Sequence, residues 1–160
     1  MNLLQSLQDV CINTFCLKDD DSDLEESEPL TKVSSLTVHQ YQGESLFYLN
    51  LPKLTKLEIS VKSDLIPKIE RIPFFFENSP LLQEVVFNIL YDSHLQMILD
   101  TCPMLKKIKI FQLEKDPDFV VTVEVNLDKY LQLESIEICN YPKEINIFSM
   151  KDINAKLKKV

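Results

Sequence analysis

The chain has 160 residues, a length that suits one domain, and its 45% hydrophobic and 26% charged residues are ordinary for a soluble protein. The formal net charge is −8, but seven acidic residues lie within 19–28, and without them the net charge would be −1. A nearly neutral body offers no basic patch for phosphates, which argues against nucleic acid as a partner.

Neither a secretory signal nor a membrane span is expected. The first residues lack a basic region followed by an apolar run, and no stretch approaches 18 apolar residues. Without a signal, the four cysteines are expected to be free thiols in a reducing compartment; they are Cys11, Cys16, Cys102 and Cys139. The predicted location is therefore intracellular, cytoplasmic or nuclear.

One spacing recurs six times along the chain: an apolar residue, two others, an apolar residue, one other and an apolar residue. The six copies are Leu7-Val10-Ile12, Val33-Leu36-Val38, Leu54-Leu57-Ile59, Leu82-Val85-Phe87, Leu105-Ile108-Ile110 and Leu133-Ile136-Ile138. Their first members lie 21 to 28 residues apart. This spacing and period are the signature of leucine-rich repeats.

Each copy is predicted to form a short strand. Leu57 and Ile59 should face one side while Lys56, Glu58 and Ser60 face the other, because side chains alternate along a strand. The prediction is an α/β leucine-rich repeat solenoid with a parallel concave β-sheet of about six strands and irregular helical or extended convex legs. The whole chain, 1–160, is one such domain, with an incomplete seventh repeat at 157–160.

The segment between the first two strands, 19–30, is predicted to be an acidic flexible insertion. Asp19, Asp21 and Asp23 resemble the start of an EF-hand calcium loop. However, Leu24 replaces the required Gly and Leu30 the required Glu, so that type of site is rejected. A second interpretation makes this insertion an electrostatic tether for a basic partner.

The connections between strands are predicted to differ in type. A helix is expected over 92–102, because Leu95, Ile98, Leu99 and Cys102 would share one face, and Asp92 or Ser93 could cap its start. A broken helix is expected over 66–77, and extended segments over 119–125 and 145–148. Proline stands two residues before three of the copies, at Pro52, Pro80 and Pro103.

The segment from Leu95 to Ile110, with Cys102-Pro103 before Leu105, Ile108 and Ile110, resembles the repeats of F-box leucine-rich repeat proteins. The segments that begin at Pro52 and Pro80 are similar variants. This resemblance implies the substrate-recognition part of a ubiquitin ligase receptor, with no catalysis of its own. The chain shows no F-box, so a ligase adaptor is implied as a partner only if an F-box exists elsewhere.

The outward positions of the strands give the candidate site. The predicted partner-binding residues are Lys56, Glu58, Glu84, Val86, Lys107, Lys109, Phe111 and Glu137. One interpretation makes their charges a ladder of surface ion pairs with no further role. The other makes them a mixed-charge recognition face with apolar anchors, of which Phe111 is either exposed or tucked under the loop at Asp116-Pro117.

Catalysis is not expected. His39 and His94, the only histidines, are predicted on different faces, and the single glycine, Gly43, cannot build a phosphate-binding loop. No metal or cofactor is predicted. The first hypothesis is a non-catalytic module that binds a protein partner through the concave sheet, and the ligase receptor is its alternative. A cysteine hydrolase using Cys11 or Cys139, and a scaffold that stacks end to end, are hypotheses of other classes.

Overall fold

The computed structural model describes residues 8–12, 29–41, 49–61, 72–117, 124–148 and 154–159 of an α/β protein. Its strands are β1 Asp9–Ile12, β2 Ser35–Tyr41, β3 Lys56–Val61, β4 Glu84–Tyr91, β5 Lys107–Glu114, β6 Glu124–Asn126, β7 Ser135–Tyr141, β8 Asn146–Phe148 and β9 Asn154–Lys159. Seven of them form one sheet in the order β1-β2-β3-β4-β5-β7-β9, and every neighbouring pair is parallel. The predicted parallel sheet is thus confirmed, with one strand more than expected.

The register of this sheet follows the recurring apolar spacing. One continuous row, in which each residue faces the next across the sheet, consists of Val10, Leu36, Leu57, Val85, Ile108, Ile136 and Ala155. All of its members from Leu36 to Ile136 are buried. The six copies of the spacing therefore align side by side, as the pattern predicts, and give the sheet one continuous apolar face.

The seventh strand has a different register from the one that the sequence suggests. Leu157 was expected to open a repeat, in the place that Leu133 holds, but it pairs with Ile138, the last apolar position of its neighbour. In the observed register Ala155 pairs with Ile136. This copy of the spacing is too degenerate to be found from the pattern.

A second layer covers the apolar face of the sheet. It contains α1 Ile72–Glu77, α2 Asp92–Thr101, a 3-10 helix at Leu127–Lys129 and a small sheet in which β6 and β8 pair in parallel. α1 confirms a helix over the last part of the predicted broken helix, and its Phe75 and Phe76 are fully buried. The first part of that prediction, 66–71, lies outside the described residues. β6 and β8 confirm the extended conformation predicted for 124–125 and for 146–148, whereas 119–123 lie outside the described residues. Val125 and Ile147 place these two strands in the core.

Helix α2 lies where it was predicted and buries Leu95, Ile98 and Leu99, with Cys102 just beyond its end. The capping prediction needs correction. The residue at the N-cap is Tyr91, which makes no side-chain cap, and the carboxylate of Asp92 accepts a hydrogen bond from the N–H of Ser93 instead.

The same hydrogen-bonded turn precedes five of the strands. The N–H of the opening apolar residue donates to the carbonyl three residues earlier, in the pairs Val33–Leu30, Leu54–Leu51, Leu82–Ser79, Leu105–Cys102 and Leu133–Tyr130. Among the described non-glycine residues, only Gln40 has a positive φ, so these turns are of type I rather than type II. Pro52, Pro80 and Pro103 stand at the second position, where a type I turn favours proline because its φ is already set.

Replacing Leu131 with proline is expected to stabilise the protein. Leu131 holds this second position, it is 81% exposed, and its N–H makes no backbone hydrogen bond within the described residues. Tyr130 before it has φ −100° and ψ 89°, close to the −106° and 85° of Cys102, which already precedes a proline. Leu131→Pro should add about 0.4–1 kcal/mol to the free energy of unfolding, because it restricts the unfolded chain.

Urea unfolding followed by circular dichroism measures this gain. Gln132→Pro is the matched control, since proline at the third position of a type I turn forces the residue before it out of its helical conformation. That control should lose stability. A stability loss in Leu131→Pro as well would show that the fifth turn does not share the geometry of the others.

Several predictions fall on residues outside the described ones. They include most of the acidic insertion at 19–30 and the thiol Cys16. Leu30, at the end of that insertion, belongs to the core: it is buried, and its N–H donates to the carbonyl of Asn50 at 2.9 Å. Within the described part of the chain, no helix is long and apolar enough to cross a membrane.

Candidate functional site

The face of the large sheet that points away from the second layer is called the outer face here. It consists of two rows in register, one with Ser35, Lys56, Glu84, Lys107 and Ser135, and one with Thr37, Glu58, Val86, Lys109 and Glu137. Phe111 lies farther along β5. All eight predicted binding residues thus lie on β3, β4, β5 and β7, which are adjacent strands.

Two ion pairs join neighbouring strands on the outer face. The Nζ of Lys56 lies 3.7 Å from Oε1 of Glu84, and the Nζ of Lys109 lies 3.5 Å from Oε2 of Glu137. All four side chains are more than one third exposed, so each pair contributes less than about 1 kcal/mol to stability. The predicted ladder of ion pairs is therefore present in part, and it is too weak to explain the fold.

The other two charged residues of the predicted site, Lys107 and Glu58, are not part of these ion pairs. Within the described residues, neither Lys107 nor Glu58 lies within 4 Å of an oppositely charged group. Lys107 faces Glu84 on one side, which is paired with Lys56, and the neutral Ser135 on the other. Glu58 lies between Thr37 and Val86, neither of which carries a charge.

Phe111 is exposed rather than tucked under the following loop, because 46% of its surface is accessible. The Nζ of Lys109 lies 4.9 Å from the centre of its ring, a cation–π contact that holds the two side chains together on β5. Exposed aromatic residues are frequent anchors of protein interfaces. Val86, half-buried one strand away, faces Lys109 directly.

A shallow depression of about 200 Å³ crosses β4, β5 and β7 on the outer face. The residues of the outer face that line it are Glu84, Val86, Lys107, Lys109, Ser135 and Glu137. Five of the eight predicted residues therefore surround one concavity. Lys56, Glu58 and Phe111 do not line it, although Lys56 touches its edge through the ion pair with Glu84.

Asn88, an outward residue on β4, has a structural role that the strand pattern does not reveal. Its Oδ1 accepts from the N–H of Val61 at 2.8 Å, and its Nδ2 donates to the carbonyl of Val61 at 2.7 Å. The backbone pairing of β3 with β4 ends at Ile59 and Phe87, so the side-chain amide continues the ladder in place of a backbone group. Asn88 belongs to the scaffold of the outer face.

A polar cluster lies where β4 enters α2, away from the two rows of the outer face. Asp92 is fully buried; its Oδ1 accepts from the N–H of Ser93 and of Asp116, both at 2.9 Å, and its Oδ2 lies 3.0 Å from the Nζ of Lys115. The hydroxyl of Ser93 donates to Oδ2 of Asp116. This cluster fastens the start of α2 to the segment that follows β5.

His94 belongs to the same cluster, on α2, as predicted. Burial lowers the pKa of its imidazole below the usual 6.5, although the carboxylates of Asp116 and Asp92 oppose this shift. The ring is therefore neutral at pH 7, and it packs beside the ring of Tyr91, with the two centres 5.7 Å apart. Ser93 bonds to Asp116 rather than to the histidine, so the cluster does not form a nucleophile–base pair.

The three described thiols differ in their exposure. Cys102 is buried, and burial raises its pKa to about 12, which keeps it protonated. Cys11 is exposed on β1, and Cys139 is half-buried on β7, with four strands between them in the sheet. Among the described residues, no group of three or more His, Cys, Asp or Glu side chains is arranged to hold a metal ion.

Comparisons of the chain with protein-family models, with curated proteins and with solved structures found no match.

Proposed function

We propose that this chain is a non-catalytic protein-interaction module that binds a protein partner through the outer face. The observation that carries this proposal is the depression over β4, β5 and β7, beside which Phe111 is exposed. Unpaired charges at Lys107 and Glu58 and an aromatic anchor give the surface both polar specificity and an apolar contact.

The proposal includes a leucine-rich repeat solenoid as the architecture. It is supported by the turn that recurs before five strands and by a second recurring feature. The carbonyl of the residue before a strand accepts two N–H groups from the next repeat; the accepting residues are Gln8, Ser34, Thr55, Gln83 and Lys106. Repetition of both features in successive units is expected if each unit is one turn of a solenoid, whose sheet supplies an extended binding surface.

Affinity purification of the tagged chain from its native cells tests the binding role. Phe111→Ala should remove at least one partner that the unchanged chain retains, because it deletes the exposed anchor of the outer face. Phe148→Ala is a matched control: Phe148 is 44% exposed, close to the 46% of Phe111, but it lies on β8, outside the seven-stranded sheet. Its captured proteins should equal those of the unchanged chain.

Equal thermal stability of the two variants ensures that a lost partner reflects a lost contact. Identical partners in all three purifications, or a partner lost only with Phe148→Ala, would contradict binding through the outer face. The ligase-receptor alternative rests on the resemblance of 95–110 and of its variants at 51–59 and 79–87. It gains support only if a ubiquitin ligase adaptor is retained by the unchanged chain.

A further inference from the structure

Lys107 differs from the lysines around it. The described neighbours Lys56, Lys106 and Lys109 each lie within 4 Å of a carboxylate, at 3.7, 3.8 and 3.5 Å respectively. No such partner is found for Lys107 in the described part of the chain, although it lines the depression. Its exposed ammonium group is held on the central strand of the three that form the depression.

The charges that line the depression are two lysines, Lys107 and Lys109, and two glutamates, Glu84 and Glu137, so they balance in number. Glu137 is paired with Lys109 and Glu84 with Lys56, which leaves Lys107 as the lining cation without a carboxylate within 4 Å among the described residues. One carboxylate complements one ammonium group. A nucleic acid backbone, by contrast, requires several cations for its phosphates, so a single lysine among neutralised pairs does not suit it.

An apolar contact lies along the same strand. Phe111 follows Lys107 by four residues on β5, and a strand advances about 3.3 Å per residue, so the two positions are roughly 13 Å apart. Both side chains belong to the same face, with Lys109 between them. An extended peptide that lies alongside β5 has the same rise per residue, so two of its residues four positions apart are separated by the same distance.

We propose that the outer face binds an extended acidic segment of another protein, an inference that rests on the proposed function. In this segment the side-chain carboxylate of Asp or Glu contacts Lys107, and an apolar side chain four residues away contacts Phe111. The lysines beside Lys107 are already paired with glutamates. The unpaired ammonium group of Lys107 therefore provides the selectivity for a carboxylate.

Selection of random peptides displayed on phage, with the purified chain as bait, tests this proposal. The selected peptides should carry Asp or Glu four positions from an apolar residue. Lys107→Glu should weaken the binding of a synthetic peptide of that sequence more than tenfold, because two carboxylates then face each other. Changing the acidic residue of the peptide to Lys should restore binding to this variant.

Lys53→Glu is the matched control, since Lys53 is exposed in the turn before β3, off the outer face, and its reversal changes the net charge equally. It should leave the affinity unchanged. Circular dichroism and thermal unfolding establish that both variants are folded. Binding to the unchanged chain should also weaken as salt is added, because the contact with Lys107 is exposed.

The outcomes separate this inference from the proposed function. Peptides that lose binding with Phe111→Ala but not with Lys107→Glu would overturn the inference and leave the proposed function standing. Failure to select any peptide whose binding depends on either residue would contradict both. Sedimentation of the protein alone gives a further test. A dimer that dissociates in the Lys107→Glu variant would also overturn the inference, because the outer face would then bind a second copy of the chain.

Discussion

Asp92→Ala is expected to lower the free energy of unfolding by about 3–4 kcal/mol. The side chain is fully buried and accepts from the N–H groups of Ser93 and Asp116, and it pairs with Lys115. Removing it takes away the carboxylate oxygen that accepts from the buried N–H of Asp116, which costs about 1–3 kcal/mol, and it also removes the ion pair between Asp92 and Lys115. Urea unfolding followed by circular dichroism measures the loss.

Asp92→Asn distinguishes the two contributions. Its amide oxygen can still accept from both N–H groups, so only the ion pair with Lys115 is removed, and the expected loss is about 1–2 kcal/mol. Since Asp92 lies away from the two rows of the outer face, neither variant that remains folded should change partner binding. A loss below about 1 kcal/mol in Asp92→Ala would show that the cluster does not fasten α2 to the segment after β5.

Asn88→Ala is expected to cost about 2–3 kcal/mol, the second largest effect. The Asn88 amide makes hydrogen bonds of 2.8 and 2.7 Å to the N–H and carbonyl of Val61, at the point where the backbone pairing of β3 with β4 has ended. Alanine would leave both backbone groups without these partners. The change in unfolding free energy, measured in urea, gives the size of the effect.

Asn140→Ala is the control for Asn88. Asn140 is an exposed outward residue of β7, whose Nδ2 makes only a long contact of 3.5 Å with the carbonyl of Phe111. Its replacement should change stability by less than about 0.5 kcal/mol. Equal losses in the two variants would contradict the assignment of Asn88 to the scaffold.

The spacing of apolar residues was sufficient to predict most of the sheet. Every second residue of each strand is buried, and each strand begins at a fixed distance after a turn. The sequence therefore shows a periodic pattern of apolar residues that predicts the strands. It was insufficient for β9, where Ala155 and Leu157 preserve only part of the spacing and pairing with β7 decides the register.

The candidate site, too, is predictable from the sequence only in part. Its residues follow from alternation along the strands, because Lys56, Glu84 and Lys107 hold the same position in successive copies. The choice of ion pair does not follow, since Glu84 is adjacent to both lysines and only side-chain geometry assigns it to Lys56. The sequence also could not reveal the roles of Asn88 and Asp92, because each contacts a residue more than 20 positions away.

Site-specific photo-crosslinking tests binding through the outer face most directly. A benzoylphenylalanine at position 111, introduced in the native cell, should become linked to a defined protein on irradiation. The same probe at position 148, equally exposed on β8, should not be linked to that protein. A partner that is linked at 148 but not at 111, or the same set of products at both positions, would contradict the account.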